Sequence, residues 1–492
     1  MNRPLPPLFA ALHVDPQAAE PLYRQLYHEI RAAILSGRLS PGSRLPSTRD
    51  LARNLGIART TVVSAFEQLL AEGYLEGRIG AGSFVARDLP DALLTAPQAE
   101  PIPVQHRYPA AVRLSRRGDI LAATAVSATR SALRQRPFQV GLPDLETFPF
   151  ALWARLAARH YSNPQPALLD YGDPAGYRPL RAAIAGYLAQ SRGVRCTAEQ
   201  VIVIAGSQQG LDLAARLLLD PGDQVWIEDP GYIGARGAFQ AAGANLVPVP
   251  VDHEGLDVAS GMRRAPQARM AYITPSHQFP LGVTMSLARR LDLLHWAAES
   301  EAWVIEDDYD SEYRYGGRPL AALQGLDQAG RVIYLGTFSK VLFPGLRLGY
   351  LVVPPDLAPA VRSARALSDR SGPGLEQAIL ADFIAEGHFG RHIRRMRALY
   401  AARQTALLAA AEALRDRLEI VSAETGMHVV GLLPEGVDDR EIAARAAAAG
   451  IIANPLSTYR LAAHPPAGLL LGYAGFRAEA ITEGMARLGR VL

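Results

Sequence analysis

Apolar side chains recur at helical spacing in three stretches near the start of the chain. The stretches run from Pro21 to about Ser36, from Ser47 to Gly56 and from about Arg59 to Glu72, and each predicts an amphipathic helix. Ser47 can cap the second helix, with Asp50 as its partner three residues on. Two short strands are predicted to follow around a glycine-rich tip, at Tyr74–Glu76 and Ser83–Val85.

From about residue 137 the pattern changes to alternating strands and helices. Seven short apolar runs predict strands at Val201–Ala205, Gln224–Glu228, Asn245–Val249, Met270–Thr274, Trp303–Glu306, Val332–Leu335 and Leu348–Val353. Helical stretches separate most of them, which predicts an α/β fold with a mostly parallel sheet covered by helices on both faces. Residues from about 412 to 492 have helices and strands of their own and are expected to form a smaller α+β lobe.

Between these two parts, residues 88–115 contain five prolines and no apolar periodicity. Such a composition predicts an extended, semi-stiff linker. We therefore expect three segments, which are an N-terminal α+β domain at 1–87, the linker, and an α/β domain at 116–492.

The composition is typical of a folded cytoplasmic protein. Apolar residues make up 49% of the chain and charged residues 20%, and no uninterrupted apolar run is long enough to span a bilayer. The proline-broken start does not resemble a signal peptide. A single cysteine, Cys196, excludes an internal disulfide and a cysteine-cluster metal site. We expect no membrane association and no bound metal.

Positive charge is concentrated at the N-terminal end. Residues 1–87 contain 10 Arg against 7 acidic residues, whereas the remainder contains 41 basic and 41 acidic residues. A basic head on a neutral body favours a polyanionic partner, although a few arginines can also simply solvate a helix.

Among the 51 Lys and Arg residues, 50 are Arg, and the single lysine is Lys340. Arg can replace Lys in ion pairs and phosphate contacts, but a guanidinium stays charged and cannot attack a carbonyl carbon. A composition that keeps one lysine therefore favours Schiff-base chemistry at that residue. The count alone leaves chance retention equally open, so the neighbouring motifs have to decide.

A pyridoxal 5'-phosphate (PLP) site needs a lysine, a carboxylate for the pyridine nitrogen, an aromatic face for the ring and donors for the phosphate. The chain offers them in four segments, Gly206-Ser207-Gln208-Gln209-Gly210, Glu228-Asp229-Pro230-Gly231-Tyr232, Glu306-Asp307-Asp308-Tyr309 and Thr337-Phe338-Ser339-Lys340. In this order, residues 137–492 resemble the fold-type I, aspartate aminotransferase-like enzymes. Singly, each segment could be an ordinary helix start, core aromatic, cap or ion pair; the joint match favours the cofactor.

The resemblance implies a role for each matching residue. Lys340 would form the aldimine, Asp307 would pair with the ring nitrogen, Tyr309 would donate to the phenolic oxygen and Tyr232 would stack on the ring. Further cofactor-binding positions are Ser207 and Gln208 at a helix start, Thr337, and the phosphate-binding Arg347. Tyr171 matches a tyrosine that reaches the phosphate of the neighbouring subunit, which implies a homodimer with shared sites.

Two features depart from the aminotransferase pattern. Phe279, in Ser276-His277-Gln278-Phe279-Pro280, stands where many of these enzymes have Asn, and the familiar C-terminal Arg-Leu-Asn segment is absent. The carboxylate of an effector could be bound by Arg460 instead, with Arg477 the weaker candidate; a plain surface or ion-pair role is open for both. Weak or partial transamination is the most that we expect.

The N-terminal motifs are Leu45-Pro46-Ser47-Thr48-Arg49, Arg59-Thr60-Thr61-Val62 and Gly80-Ala81-Gly82-Ser83-Phe84-Val85. They resemble the GntR family of bacterial winged helix-turn-helix regulators. The resemblance implies that the third helix enters the major groove of double-stranded DNA. The residues that it places at DNA are Arg49, Arg59, Thr60 and Thr61, with Gly80, Gly82 and Ser83 in the wing. Arg44 and Arg53 are equally compatible with DNA contact and with solvated charge.

A GntR-like head, a proline-containing linker and an aminotransferase-like body together resemble the MocR/GabR class of bacterial transcription regulators. The resemblance implies a homodimeric, cytoplasmic regulator that binds a DNA operator and senses an amino compound or PLP itself through the aldimine on Lys340. Two alternatives stay open, which are an active aminotransferase with an appended DNA-binding domain and a DNA-binding protein that has lost the cofactor. Phe279 counts against the first, and the joint retention of Asp307, Tyr309, Lys340 and Arg347 counts against the second.

Overall fold

The computed structural model describes residues 9, 12, 14–78, 81–89, 113–123, 136–316, 321–421, 424–462 and 466–492. The chain divides into two units, residues 1–112 and 113–492, and each is described by itself. The predicted linker at 88–115 lies outside the described residues except at 88–89 and 113–115.

The N-terminal unit contains the three helices and the hairpin that the apolar pattern predicts. The helices are α1 (Leu22–Leu35), α2 (Thr48–Leu55) and α3 (Arg59–Ala71), and strands β1 (Leu75–Arg78) and β2 (Gly82–Val85) pair antiparallel. The predicted cap of α2 is confirmed. The Ser47 hydroxyl accepts from the backbone N–H of Asp50 at 3.1 Å and donates to the Asp50 carboxylate at 2.6 Å.

One apolar cluster holds the three helices of this unit together. Leu26 and Ile30 of α1, Leu51 of α2, and Val62 and Phe66 of α3 are all buried in it. Burying one side chain of this size contributes about 1.5–3 kcal/mol, so the apolar faces fix the mutual packing of the helices. The polar residues at the start of α3 remain at the surface.

The second unit is built on an eight-stranded sheet with the order β3-β10-β9-β8-β7-β4-β5-β6. Its strands are β3 (Val201–Ile204), β4 (Gln224–Asp229), β5 (Asn245–Asp252), β6 (Gly255–Leu256), β7 (Met270–Ile273), β8 (Trp303–Asp308), β9 (Val332–Thr337) and β10 (Gly349–Val352). Strands β5, β4, β7, β8 and β9 are parallel, whereas β10 is antiparallel to β3 and β9, and β6 to β5. The prediction of a mostly parallel sheet is confirmed.

Helices cover both faces of this sheet. They are α4 (Arg116–Ala123), α5 (Phe150–Ser162), α6 (Pro166–Leu169), α7 (Arg178–Arg192), α8 (Ser207–Leu218), α9 (Ile233–Ala241), α10 (Val258–Arg264), α11 (Leu287–Glu299), α12 (Leu323–Leu326), α13 (Ala358–Ser368) and α14 (Gly374–Ala385). Alternate residues of β3 enter different clusters, since Val203 packs with Leu188 of α7 and Ile204 packs with Leu211 of α8. Burial on both faces explains why β3 is a continuous apolar run.

The C-terminal part forms a second, antiparallel sheet. Its order is β11-β12-β14-β13, with strands β11 (Glu419–Val421), β12 (His428–Leu432), β13 (Asn454–Pro455) and β14 (Gly468–Gly472). Its helices are α15 (His388–Ala411), α16 (Asp439–Ala448) and α17 (Ala478–Leu488). Met396 and Tyr400 of α15 pack with Leu471 of β14 and Met485 of α17 in one apolar cluster.

In the part of the chain that the structure describes, no helix combines the length and the apolar character that crossing a bilayer requires. The 24-residue helix α15 is long enough, but it carries five arginines.

Replacing either of two helical glycines by alanine should change the free energy of unfolding in opposite directions. A Cβ added at Gly210 on α8 would lie 2.8 Å from Cδ1 of Ile204 and 2.9 Å from Cδ1 of Leu335. Gly210→Ala must therefore displace core side chains, and it should lower the free energy of unfolding by about 1–3 kcal/mol. Gly186 on α7 has no heavy atom within 4 Å of the same position, so Gly186→Ala is the matched control.

Gly186→Ala should raise the free energy of unfolding by about 0.4–1 kcal/mol, because it restricts the unfolded chain without a clash. Thermal unfolding of the full-length variants measures both effects. A Gly210→Ala midpoint at or above that of the unsubstituted protein would contradict the packing described for α8.

Candidate cofactor site and DNA-binding surface

The carboxyl ends of the parallel strands bring most predicted site residues to one edge of the large sheet. Asp307 lies near the end of β8, Thr337 ends β9, and Lys340 follows β9 by three residues. Strand β3 runs in the same direction as β9, because β10 is antiparallel to both, so Ser207 begins α8 at the same edge. Ligands of open α/β sheets bind at this edge.

Lys340 is half-buried at this edge. Its Nζ donates a hydrogen bond to the backbone oxygen of Gly141 at 2.9 Å. The φ of Gly141 is +76°, a left-handed conformation that favours glycine. The hydrogen bond to this backbone oxygen places the amine at the sheet edge.

Asp307 is 4% exposed and has an incomplete set of hydrogen bonds. Its Oδ2 accepts from the Tyr272 hydroxyl at 2.8 Å, whereas its Oδ1 is buried without a hydrogen-bond partner among the described residues. Burial raises the pKa of Asp307 to about 7, against the hydrogen bond from Tyr272. A buried acceptor of this kind fits a ligand that brings its own N–H donor.

The start of α8 is the candidate position for an anion. Gly206 precedes the helix with a φ of +112°, and a Cβ there would lie 3.5 Å from Nη1 of Arg347, so the guanidinium sits against the helix N-terminus. Free backbone N–H groups and the helix dipole favour a phosphate at such a position. Ser207 is the first residue of α8, while the Gln208 amide donates to the backbone oxygen of Gly234 on α9 at 2.9 Å.

Aromatic rings from the segments that follow β4, β7 and β8 form a wall at the carboxyl edge of the sheet. Phe279 makes edge contacts with Tyr232 and Tyr309, both at 5.9 Å between ring centroids, and with Tyr459 at 5.3 Å. In the sequence, Phe279 indicates only the loss of an amide donor. The structure shows that it is the centre of this wall.

Gln278 connects the segment that carries Phe279 to the segment that carries Tyr232 through hydrogen bonds. Its Nε2 donates to the Glu228 carboxylate at 3.1 Å and to the backbone oxygen of Pro230 at 2.9 Å. Glu228 also accepts from the Thr274 hydroxyl at 2.7 Å, and burial raises the pKa of this carboxyl to about 7. No sequence pattern assigns a role to Glu228 or Gln278.

Tyr309 contacts a buried imidazole that the sequence motifs do not reveal. Its hydroxyl lies 2.9 Å from Nδ1 of His277, and both carboxylate oxygens of Asp310 lie 3.1 Å from the same nitrogen. His277 and Asp310 are 2% and 1% exposed. With His428 they form a group whose potential ligand atoms lie within 4.8 Å of one another, although no further protein ligand to a metal is identified among the described residues.

The two candidate arginines for an effector carboxylate differ in their surroundings. Arg477 lies 2.6 Å from Glu146 in an exposed ion pair, which accounts for its charge. Arg460 is half-buried, and its Nε is buried without a hydrogen-bond partner among the described residues. Burial lowers the pKa of Arg460 to about 10, although the Asp229 carboxylate opposes the change.

The segment that carries Arg460 is attached to the end of β4. The backbone N–H groups of Leu461 and Ala462 donate to the two carboxylate oxygens of Asp229 at 2.8 and 2.9 Å. The N–H of Gly231 donates to the backbone oxygen of Tyr459 at 2.9 Å. Arg460 is thus held next to the segment that carries Tyr232.

Tyr171 lies at the surface of its own chain. It is 76% exposed, and the guanidinium of Arg370 stacks over its ring at 4.7 Å. No hydrogen bond of its hydroxyl is identified within the described part of the chain.

In the N-terminal unit, the predicted DNA-contacting residues gather at the start of α3. Arg59 and Thr60 are exposed and Thr61 is half-buried, while Arg49 is exposed on α2. The Nε of Arg59 donates to the Thr48 hydroxyl at 3.4 Å, which links the starts of α2 and α3. Among the described residues no side chain caps α3, and although the N–H of Thr61 donates to the backbone oxygen of Ala58 at 3.1 Å, the start of the helix still favours an anion.

Two arginines flank the hairpin that corresponds to the wing. The Arg78 guanidinium lies 4.6 Å from the Phe84 ring centroid, and Arg44 lies 3.6 Å from the Cβ position of Gly82. The sequence leaves Arg44 open and gives no signal for Arg78. Ser83 is half-buried, and Gly80 lies outside the described residues. Arg53 is only 3.8 Å from Asp50, which supports its interpretation as a paired surface charge.

Comparison with known families assigns both parts of the chain. Residues 22–85 match the bacterial regulatory proteins of the gntR family, and residues 138–488 match aminotransferase class I and II. The second match covers more than half of the chain.

Two curated regulators are similar to this chain over most of its length. The probable rhizopine catabolism regulatory protein MocR of Rhizobium meliloti is 44% identical over 97% of this chain and 95% of that protein. The HTH-type pyridoxine biosynthesis transcriptional regulator PdxR of Corynebacterium glutamicum is 34% identical over 80% of this chain and 79% of that protein.

Among solved structures, the α-aminoadipate aminotransferase LysN of Thermus thermophilus, complexed with N-(5'-phosphopyridoxyl)-L-leucine, is 32% identical with a TM-score of 0.70. The match covers 76% of this chain and 96% of that chain. Together these findings show that the chain belongs to the MocR class of GntR-family helix-turn-helix transcription regulators, in which a DNA-binding domain precedes an aminotransferase-like domain.

Proposed function

We propose that this regulator binds PLP covalently through Lys340 and uses the site to sense an amino compound or PLP itself. The observation that carries the proposal is the buried Asp307 Oδ1, which lacks a hydrogen-bond partner among the described residues and lies at the sheet edge that also holds the single lysine. Occupancy of the site would change how the DNA-binding domains of a homodimer engage an operator.

The residues at the sheet edge fit the chemical parts of PLP. Asp307 offers a buried acceptor for a protonated ring nitrogen, and Lys340 offers the amine. Arg347 and the start of α8, with Ser207, offer cationic and N–H donors for the phosphate. Tyr232 and Phe279 supply aromatic surface for the ring. When bound, the cofactor supplies an aldehyde that combines with amines and a ring that withdraws electrons.

Each residue then has a task that its contacts support. Asp307 holds a proton on the ring nitrogen, because a carboxylate in a poorly solvated place favours a cationic partner. Lys340 would supply the amine that joins the cofactor, and its hydrogen bond to the backbone oxygen of Gly141 holds Nζ at the sheet edge. Thr337 ends β9 in a buried position and supports the turn to Lys340 by accepting from the N–H of Ser339 at 3.2 Å.

Tyr171 supports a homodimer with shared sites. A tyrosine that is 76% exposed and held in place by Arg370 suits contact with a second chain better than contact with its own site. In the dimer, the Tyr171 hydroxyl would donate to the phosphate in the neighbouring subunit.

Arg460 supports an effector with a carboxylate as well as an amine. Its buried Nε lacks a hydrogen-bond partner among the described residues, and its segment adjoins the one that carries Tyr232. The names of relatives point to different signals, since one regulates rhizopine catabolism and another pyridoxine biosynthesis. Any effector can act only through different affinities for two arrangements of the dimer.

The DNA-binding domain would act at an operator in the bacterial cytoplasm. Arg59 and Thr60 at the start of α3 would meet the major groove, with Arg49 and Thr61 beside them, and the wing at Gly82 and Ser83 would approach the backbone. Arginine reads guanine through two hydrogen bonds, whereas threonine more often binds phosphate.

A fully active aminotransferase is the weaker proposal. The match to solved aminotransferases favours it, but Phe279 presents a hydrocarbon ring where many of those enzymes have an amide donor. The site therefore keeps the groups that hold PLP and lacks one of the groups that supports turnover.

Lys340→Arg should abolish the visible absorption that PLP acquires when it is joined to the protein, because guanidinium cannot form the bond. The substitution keeps the positive charge and so serves as its own electrostatic control. Borohydride reduction of the PLP-saturated protein, followed by peptide mass mapping, should place the label on Lys340. A visible band that survives in the variant would show that another amine is used.

Arg59→Ala should weaken binding to an operator selected by the full-length protein from random DNA by about 1–3 kcal/mol. Arg59→Lys keeps the charge but loses the planar pair of donors, so it should lose nearly as much if Arg59 contacts a guanine. Electrophoretic titration measures both affinities. Full retention of affinity in Arg59→Lys would identify a phosphate contact, and an unchanged Arg59→Ala would remove the residue from the interface.

Arg460→Ala should weaken the response of the PLP-loaded protein to amino acids by about tenfold to a hundredfold, the size of a lost hydrogen bond to a charged group. Arg477→Ala is the matched control, because its ion pair with Glu146 is exposed. The change in visible absorption on titration with an amino acid, and with the amine that lacks its carboxylate, measures the effect. Equal losses for acid and amine would show that Arg460 does not bind the carboxylate.

A further inference from the structure

We propose that His277 and Asp310 are positioning residues for the cofactor, and this proposal rests on the PLP site proposed above. Asp310 fixes the proton of His277 on Nδ1, and that N–H turns the hydroxyl proton of Tyr309 toward the phenolic oxygen of bound PLP. The two residues thereby make Tyr309 a donor to the cofactor instead of a donor to the protein.

The contacts of His277 select one tautomer. Both oxygens of Asp310 lie 3.1 Å from Nδ1, and a carboxylate only accepts hydrogen bonds, so Nδ1 must carry a proton. The other ring nitrogen, Nε2, is buried with no hydrogen-bond partner in the described part of the chain. The alternative tautomer, with its only proton on Nε2, is disfavoured for two reasons. Its Nε2–H would be a buried donor without an acceptor, and the lone pair of its Nδ1 would face the Asp310 carboxylate.

This tautomer determines what Tyr309 can do. Its oxygen lies 2.9 Å from Nδ1, but a protonated Nδ1 has no lone pair and cannot accept the tyrosine proton. The N–H of His277 is instead shared between Asp310 and the Tyr309 oxygen. No second hydrogen-bond partner of the Tyr309 hydroxyl is identified among the described residues, so its proton is available to a ligand.

The protein fixes the imidazole in place by close packing. A Cβ at Gly426 would lie 1.9 Å from Cε1 of His277, and the φ of Gly426 is +93°, so glycine is required there. The Tyr473 hydroxyl donates to the backbone oxygen of Gly426 at 2.8 Å, which holds that turn against the ring. The ring of His428 lies 5.0 Å from that of His277 on another side.

Donation from His277 to the Tyr309 oxygen should make the Tyr309 hydroxyl a stronger donor, because linked hydrogen bonds polarise one another. A hydrogen bond donated to the phenolic oxygen stabilises negative charge on that oxygen. The stabilisation is greatest in the deprotonated form of the bound cofactor, in which no proton of the cofactor shares that charge. The arrangement should therefore lower the pH at which the bound cofactor loses its proton. Among the described residues, the other titratable groups that face His277, Asp310 and Tyr309 are Asp307, Asp308, Glu228, Tyr313, Tyr315, His428 and Tyr473. Lys340 faces two of these groups, Asp307 and His428.

The experiment is a pH titration of the visible absorption of the full-length, PLP-loaded protein. Tyr309→Phe removes the donor and should raise the midpoint. His277→Ala and Asp310→Asn should each raise it by about 0.5–1 pH unit, about a threefold to tenfold change in proton affinity. His277→Asn, whose amide can place an N–H near the position of Nδ1, should raise the midpoint less than His277→Ala does.

The decisive comparison is made in the Tyr309→Phe background. If His277 acts through Tyr309, adding His277→Ala to Tyr309→Phe should leave the midpoint where Tyr309→Phe alone puts it. Additive shifts would overturn the proposal, and so would His277→Ala and Asp310→Asn midpoints equal to that of the unsubstituted protein. A stoichiometric divalent ion bound by His277, Asp310 and His428 would also overturn it, since the ion would replace the proton as the partner of Asp310.

Failure of the PLP site itself gives a different result. The unsubstituted protein would then show no visible band after saturation with PLP, and no variant could be titrated. A normal band in the unsubstituted protein with unchanged titrations in the variants would sink only the positioning role.

Discussion

The buried carboxylate of Asp307, at the carboxyl edge of a parallel sheet, is the constraint around which the aminotransferase-like unit is organised. Strand β8 ends in three consecutive acidic residues, and their hydrogen-bond partners differ. Glu306 accepts from two backbone N–H groups at the start of α12, and Asp308 pairs with Arg192 at 2.9 Å. Asp307 has only the Tyr272 hydroxyl as a hydrogen-bond partner within the described residues. Since an unpaired buried charge is costly, the site favours any ligand that supplies a cationic N–H.

The other residues of the proposed site differ in what they would contribute. Arg347 and the start of α8 would bind a phosphate, and Lys340 would supply a single amine, which donates to the backbone oxygen of Gly141. Phe279 brings three aromatic residues into contact where an enzyme would need a polar donor.

Much of this arrangement follows from the sequence, and the remainder fails to follow for identifiable reasons. All seven predicted strands are present, and most of them are apolar runs that the sheet buries, although β5 at the side of the sheet has only Val249 buried. The run at Gly349–Val352 does not reveal its direction, and only the structure shows that β10 is antiparallel. His277 and Asp310 are 33 residues apart, and their meeting depends on the neighbouring strands β7 and β8, where Ile273 pairs with Glu306 four residues before each of them. Arg460 and Arg477 look alike in sequence, and their burial and partners distinguish them.

The clamp that Asp229 places on the backbone of Leu461 and Ala462 has a mechanical consequence. These hydrogen bonds connect the segment that contains Arg460 to the end of β4, three residues before Tyr232. If Arg460 binds an effector as proposed, a displacement of its segment would reach the segment of Tyr232 through these two hydrogen bonds. An effector at Arg460 and a ligand beside Tyr232 would then act on the same pair of connected segments.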